Sequence, residues 1–322
     1  MAQDCAQPLL DITSTKTLRW CRTLKAAEKK GVKDLFICSY PKSGTTWLQH
    51  ICLSLIAGKD HTGHVSELAP FYEADATWDE HGHVTSDVAI RHDKIRWRVF
   101  NTHLWWELLP KHHQARYIYV VRDGRDAAVS FYHHLSHQLR KDGSDVVFKG
   151  TYAQFHALWV EGKIAYGRWV DHIRSYHAAR GHKFVVFVRY EDIKNNLSGT
   201  VHKLNAFLGT DLSADSIESL LPTFRFQWMK ANISRFQPLS VQWAGNFKFI
   251  RKGEIGDHKA TEGPAEARAF FATLHNAFPG GVPKWAGEYK QQRDGARRLS
   301  FPPSARHAAR FVVAFAAAMV CY

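Results

Sequence analysis

The stretch Asp34–Gly58, DLFICSYPKSGTTWLQHICLSLIAG, carries the residue types of an anion site. Lys42 supplies a mobile point charge, and Ser43, Thr45 and Thr46 supply hydroxyl donors beside a turn set by Pro41 and Gly44. A turn of this kind feeding a helix leaves backbone N–H groups unpaired at the positive end of the helix dipole, and phosphate is the usual guest. The bland alternative is an ordinary strand-to-helix turn with a solvated lysine, but strand, Gly, Lys, two Thr and Trp47 coincide within a few residues. Arg122 can hold a phosphate by a bidentate contact and Ser130 can add a hydroxyl, although an arginine there serves equally as an ion-pair partner. Arg251, Lys252 and the amide of Gly253 make a compact anion clamp on a flexible loop. His103 can take a proton from an acceptor hydroxyl near neutral pH, or it can be structural.

These residues need elements to carry them. Leu35–Cys38 reads as a buried strand, followed by a helix with Trp47, Leu48, Ile51, Cys52 and Leu55 at helical spacing. Arg98–Thr102 has the length and apolar content of a short strand that delivers His103 to its C-terminal end, the edge at which open α/β sheets bind ligands. Tyr117–Val121 is an unbroken run suited to a covered parallel strand, with Asp123-Gly124 as its turn and a helix from Asp126 onward. Tyr152–Arg180 is a helical pattern whose aromatic stripe reads as core, Lys183–Tyr190 is a further strand, and Leu197–Gly209 a helix stopped by its glycine. Lys59–Asp93 reads as a loop region in which Phe71, Tyr72, Glu73 and Trp78 suit either the wall of an acceptor pocket or a packed surface loop. The order of strands, turns and helices predicts one α/β domain with a mainly parallel central sheet flanked by helices.

With 45% apolar residues and 11 Trp among 322, the chain has ample material for a core. Its 43 Lys and Arg against 30 Asp and Glu, a net +13, favour anionic partners. No basic block interleaved with aromatics forms a groove, so nucleic acid is not expected. Five cysteines, odd in number and without C-x-x-C spacing, suit reduced thiols in a cytoplasmic protein. His61, His64, His81 and His83 have chelating spacing but no supporting Cys or carboxylate pattern, so no metal is expected. The N-terminus has neither a secretory pattern nor an anchor. Residues 1–30 read as an arm without chemistry, 31–285 as the domain, and 286–322 as a basic then apolar tail too short to span a bilayer.

The loop is not a Walker A motif, because its lysine precedes Gly44 and Ser39 stands where the first glycine belongs. Tyr40-Pro41-Lys42-Ser43-Gly44-Thr45-Thr46-Trp47 instead resembles, in every residue, the 5′-phosphosulfate loop of the cytosolic sulfotransferases, Y-P-K-S-G-T-T-W. Arg122–Ser130 resembles that family's 3′-phosphate signature, Thr102-His103-Leu104 its catalytic-base segment, and Tyr190-Glu191-Asp192-Ile193 its Y-E-D element. Phe226, Met229, Lys230 and Asn232 match its adenine-contacting stretch, and Phe249–Lys259 its R-K-G-x-x-G-D loop. Asn101 stands where many members have Lys, Trp105 where they have Pro, Phe224 and Arg225 where they have hydroxyl residues, and His258 where Trp is usual. The family's dimer motif would begin at Lys259, but Gly263, Pro264 and Arg268 replace its T, V and E, so that dimer is not expected.

The resemblance implies a transferase that moves a sulfuryl group from 3′-phosphoadenosine 5′-phosphosulfate (PAPS) to a hydroxyl or amine of a small molecule such as a phenol or alcohol. It implies His103 as general base and Lys42 as a catalytic cation at the leaving phosphate. The loop from Lys42 to Trp47 would bind the 5′ end, Arg122, Ser130, Arg251, Lys252 and Gly253 the 3′-phosphate, and Tyr190, Phe226 and Met229 the adenine, with Trp47 and Phe226 able to stack on it. Two alternatives stay open: a small-molecule kinase of P-loop type, which would need Mg²⁺ ligands, and an inactive protein that binds a nucleotide or polyanion.

Overall fold

In the computed structural model, the described residues are 12–27, 29, 31–58, 61, 63–287 and 289. The anticipated apolar tail, apart from its first few residues, lies outside them, as do Cys5 and Cys321.

Four strands, β1 (Lys33–Ser39), β2 (Trp97–Thr102), β3 (Ala115–Val121) and β4 (Val185–Arg189), pair in the order β2-β1-β3-β4, all parallel. The chain leaves β1 to one side for β2 and to the other for β3, so the crevice above β1 is a switch point at which ligands bind. The strand expected at Leu35–Cys38 is longer by a few residues, and all of it but Lys33 is buried. α1 (Thr15–Thr23) is capped by the Ser14 side chain and buries Cys21, whose carbonyl accepts the Tyr72 hydroxyl at 2.8 Å. α2 (Thr45–Ala57) follows β1 after the 40–44 turn and is buried on nearly every side, Gln49, His50 and Ser54 included, as a helix enclosed between the sheet and its neighbours. Leu48, Ile51 and Leu55 join Leu35, Val99, Ile118 and Val188 in one core cluster.

The segment read as loop contains two helices, α3 (Val65–Leu68) and α4 (Ser86–Ile95), and a 3₁₀ turn at Asp75–Thr77. α4 escaped the periodicity because it buries only His92, whose Nε2 donates to Leu68 O at 2.9 Å. α5 (Gly124–Leu135) starts at Gly124 because Asp123 caps it, accepting the Arg125 N–H. The expected continuous helix over Tyr152–Arg180 is two helices, α6 (Tyr152–Val160) and α7 (Trp169–His177). Positive φ at Gly162, Tyr166 and Gly167 breaks the pattern between them. α8 (Tyr190–Asn195), α9 (Leu197–Leu208), α10 (Ala214–Phe224), α11 (Phe226–Ala231) and α12 (Pro264–Ala277) complete the helices. Gly209 ends α9 in the left-handed conformation expected of it.

Candidate active site

All four strands deliver a site residue at their C-terminal ends: the 40–44 turn after β1, His103 after β2, Arg122 after β3 and Tyr190 at the end of β4. They line one cavity of about 480 Å³. Of the residues anticipated, Lys42, Gly44, Thr45, Thr46, Trp47, His103, Arg122, Ser130, Tyr190, Phe226, Met229, Arg251, Lys252 and Gly253 all line it. Ser43 does not: it is wholly buried, and its hydroxyl has no hydrogen-bond partner among the described residues.

The turn owes its shape to backbone that L-residues seldom adopt. Lys42 has φ 65° and Gly44 φ 105°, which curls the chain into a concavity ahead of the first-turn amides of α2. A Cβ on Gly44 would also lie 2.9 Å from the Tyr190 ring, so glycine is required twice over. Burial, reinforced by the charges of Arg122 and Arg251, lowers the Lys42 ammonium to about 7. Its Nζ lies 3.2 Å from His134 Nδ1 and 4.1 Å from the centre of the Phe249 ring.

Ser39, the last residue of β1, ties this turn to His103. Its carbonyl is 2.8 Å from His103 Nδ1, and its hydroxyl is 2.5 Å from Thr45 Oγ1 and 3.2 Å from the same imidazole nitrogen. A carbonyl only accepts, so Nδ1 carries the hydrogen and Nε2 holds the lone pair. Burial and the Lys42 charge, against the Ser39 bond, bring His103 down to about 4, so it is neutral at physiological pH. Thr45 is thus engaged with the strand end, not a free hydroxyl as its position in the turn suggested.

Several residues that hold this geometry were not singled out by sequence. Glu73, expected only as a wall residue, is wholly buried and accepts the His103 N–H at 2.7 Å. Burial raises its carboxyl to about 7 against hydrogen bonds from His103, Thr102 and Tyr166. His172 Nε2 lies 3.2 Å from the His103 carbonyl, and its Nδ1 2.9 Å from the Tyr119 hydroxyl. Ile12, in the arm read as without chemistry, lines the cavity with Phe71, Ala74 and Leu239. Of the other aromatics in that segment, Tyr72 and Trp78 are core. Asn101, where the sequence pattern led one to expect Lys, donates to Ala69 O at 2.8 Å.

Arg122 bridges the turn and the 249–258 segment, donating to Lys42 O at 3.3 Å and to Glu254 O at 2.8 Å, and stacks 4.5 Å over the Tyr190 ring, while its Nε finds no partner among the described residues. The clamp expected from Arg251 and Lys252 is closed on a carboxylate of its own, Asp257, to which both side chains donate; the Lys252 contact is 2.8 Å. The segment is also tied down. Asp126 on α5 accepts the amides of Gly256 at 2.8 Å and His258 at 3.0 Å, and meets His258 Nδ1 at 2.7 Å. His258, where the sequence pattern led one to expect Trp, is therefore an anchor. Gly253 has φ 64°, and a Cβ there would fall 2.4 Å from the Phe226 ring. Trp47 does not face Phe226 across a clear gap alone: its Nε1 donates to Phe224 O at 2.8 Å and its ring meets Tyr190 edge-on, with centroids 5.6 Å apart. Both Trp47 and Phe226 line the cavity.

Arg122, whose Nε is a buried orphan, lines a basic cavity, and the bare Cα atoms of Gly44 and Gly253 open space beside aromatic rings. This set fits a nucleotide with an anionic group at each end. Elsewhere, His64 bonds Gln237 O at 2.8 Å, and His81 and His83 lie on the surface beside Glu80 and Asp79. Among the described residues no group of three His, Cys, Asp or Glu is arranged to hold a metal, and no helix is long and apolar enough to cross a membrane. Cys21, Cys38 and Cys52 are buried and unpaired.

Comparison with known proteins agrees with the geometry. A sulfotransferase-domain family model matches residues 32–278. Sulfotransferase 2A1 of Mus musculus is 31% identical over 266 residues, covering 79% of this chain and 88% of that one. Amine sulfotransferase of Oryctolagus cuniculus is 30% identical over 239 residues, 70% of this chain and 74% of that one. A mouse sulfotransferase solved in complex with PAP superposes with a TM-score of 0.62 at 27% identity, covering 83% and 91% of the two chains.

Proposed function

The chain belongs to the sulfotransferase family and is a PAPS-dependent sulfotransferase, and on that premise we propose that it sulfates a hydroxyl or amine of a small molecule in the cytoplasm, with His103 as general base. The observation that carries this reading is the bond from His103 Nδ1 to the Ser39 carbonyl. It leaves a neutral imidazole with its lone pair on Nε2, in the same cavity as the anion-binding turn.

PAPS, when bound, supplies the sulfuryl group and a bisphosphate leaving group. The Lys42 ammonium and the first-turn amides of α2 balance negative charge at the 5′ end. Arg122, Ser130, Arg251, Lys252 and the Gly253 amide hold the 3′-phosphate, with Lys252 and Arg251 turning from Asp257 to do so. Tyr190, Trp47, Phe226 and Met229 enclose the base. Phe71 and Tyr166 meet the His103 ring edge-on, at 5.4 and 5.3 Å between centroids, and keep it from rotating. His103 Nε2 then takes the proton of the acceptor as the acceptor oxygen or nitrogen attacks sulfur. Little covalent work is required of the protein, whose part is alignment and charge.

The test is incubation of wild type and His103→Ala with radiolabelled PAPS, EDTA and a panel of phenols, alcohols and amines. Metal-independent transfer that is lost in the variant, with donor binding intact, is the expected result. Transfer that persists in His103→Ala, with donor binding intact, would overturn His103 as the base.

A further inference from the structure

His134 comes from the last turn of α5, one turn beyond Ser130, and both residues line the cavity. Its ring is wedged among Trp243, Phe249 and Phe131, with centroids 4.9, 6.1 and 6.3 Å away. Its Nδ1 is 3.2 Å from Lys42 Nζ. An ammonium only donates, so Nδ1 receives and the imidazole hydrogen sits on Nε2. His103 has the opposite arrangement, with its hydrogen on Nδ1. One cavity therefore holds two imidazoles of opposite tautomer, and the reaction above uses only one.

The groups that face Lys42 come from every side. They are Arg122 at the end of β3, Arg251 from the 249–258 segment, His103 at the end of β2, and His134. His134 in turn is faced by Lys42, His103 and Gln138. Among the described residues no carboxylate lines the cavity, so the imidazole serves where a carboxylate would otherwise hold the ammonium. Burial and the Lys42 charge keep His134 well below its ordinary range, hence neutral and able to accept.

We propose that His134 is a positioning residue acting through Lys42: it holds the ammonium at Nδ1, competes with the donor's 5′-phosphate for it, and so sets the pH range over which the donor binds tightly. This rests on the donor-site reading above. The sign follows from linkage. A bond accepted from the ammonium favours the charged lysine, so its loss pushes the titration of Lys42, already lowered by burial, Arg122 and Arg251, further down. In the acid range, where Lys42 is charged, the phosphate then meets no competitor and binds more tightly. In the alkaline range Lys42 is neutral before ligand is added in either protein, and the advantage disappears.

The experiment is calorimetric titration with adenosine 3′,5′-bisphosphate between about pH 6 and pH 8.5 on wild type, His134→Phe, His134→Leu and His134→Gln. The ligand's own titration is common to all and cancels in the ratio of dissociation constants. At about pH 6, His134→Phe and His134→Leu are expected to bind about threefold to tenfold tighter, the range set by one hydrogen bond to a charged group, with the gain fading as pH rises through 7. His134→Gln, which keeps an accepting oxygen, stays near wild type, and in a Lys42→Met background His134→Phe has no effect. A ratio constant with pH, or an effect that survives in Lys42→Met, overturns the inference alone. Failure of the wild-type protein to bind the bisphosphate overturns the donor-site reading and the inference with it.

Discussion

The two cationic segments that line the cavity meet at Lys42 and Phe249 and are built on opposite plans. The 40–46 turn is contiguous, its shape set by left-handed backbone at Lys42 and Gly44 and its positive end by α2. The 249–258 segment has no strand directly before it and only the start of a 3₁₀ turn, Asp257–Ala260, inside it, and two carboxylates remote from each other in sequence hold it: Asp126 fixes its backbone, and Asp257 neutralises its cations. The first end offers its charge as fixed dipoles and a buried lysine of depressed basicity; the second stores its charge in ion pairs that must open. On the function proposed above, such a design would separate chemistry, at the rigid end, from capture, at the end whose cations are already paired.

The largest effect expected is at the rigid end. His103→Ala should lower kcat by about 10²–10⁴ while bisphosphate affinity, measured by titration, stays unchanged. In the wild-type protein at saturating donor, where the bound phosphate keeps Lys42 charged, kcat should hold level with falling pH until His103 protonates near 4, a profile that a limb near 6.5 would contradict. Lys42→Met should cost about 10²–10³ in kcat, the scale of one charge-stabilising donor; equal loss at Arg251 would erase the distinction between the ends. At the capture end, Gly253→Ala faces both a strained φ and the Phe226 ring, and bisphosphate affinity should fall by about tenfold or more, as 1–3 kcal/mol of strain dictates. Asp126→Asn should lower the midpoint of thermal unfolding by a loss of about 1–3 kcal/mol, since His258 and two amides lose a charged acceptor. Burial alone would raise the Asp126 carboxyl, but the His258 bonds, Arg122 and the Gly256 amide hold it below the ordinary range. The stability it contributes is therefore complete above about pH 4 and lost as pH falls through the depressed value, and the variant should lack that acid loss. Smallest of all, Ile12→Ala should raise KM for an apolar acceptor by about threefold to tenfold and leave bisphosphate affinity alone.

Local sequence was enough wherever one element determines its own function. An unbroken apolar strand, a Gly-containing turn and a helix start follow from neighbouring residues, so the 40–46 loop, β3, the Arg122 turn and the stop at Gly209 were all legible in the chain. The helix break at 161–168 was less so, since the aromatic periodicity runs through it and only Gly162 and Gly167 hint at it. α4 was illegible because a helix burying a single histidine has no apolar stripe to display. What tertiary structure alone decided is which side chains meet. Glu73 under the His103 amide, Asp126 against His258 and His134 against Lys42 are separated by 30, 132 and 92 positions. No local pattern encodes such pairs, because buried carboxylates and imidazoles find their partners only when the strands bring their C-terminal ends together and water is excluded between them. The sequence by itself determined an anion-binding α/β domain; the packing of its sheet ends decided which histidine keeps its lone pair, which lysine loses its basicity, and which cations arrive already paired.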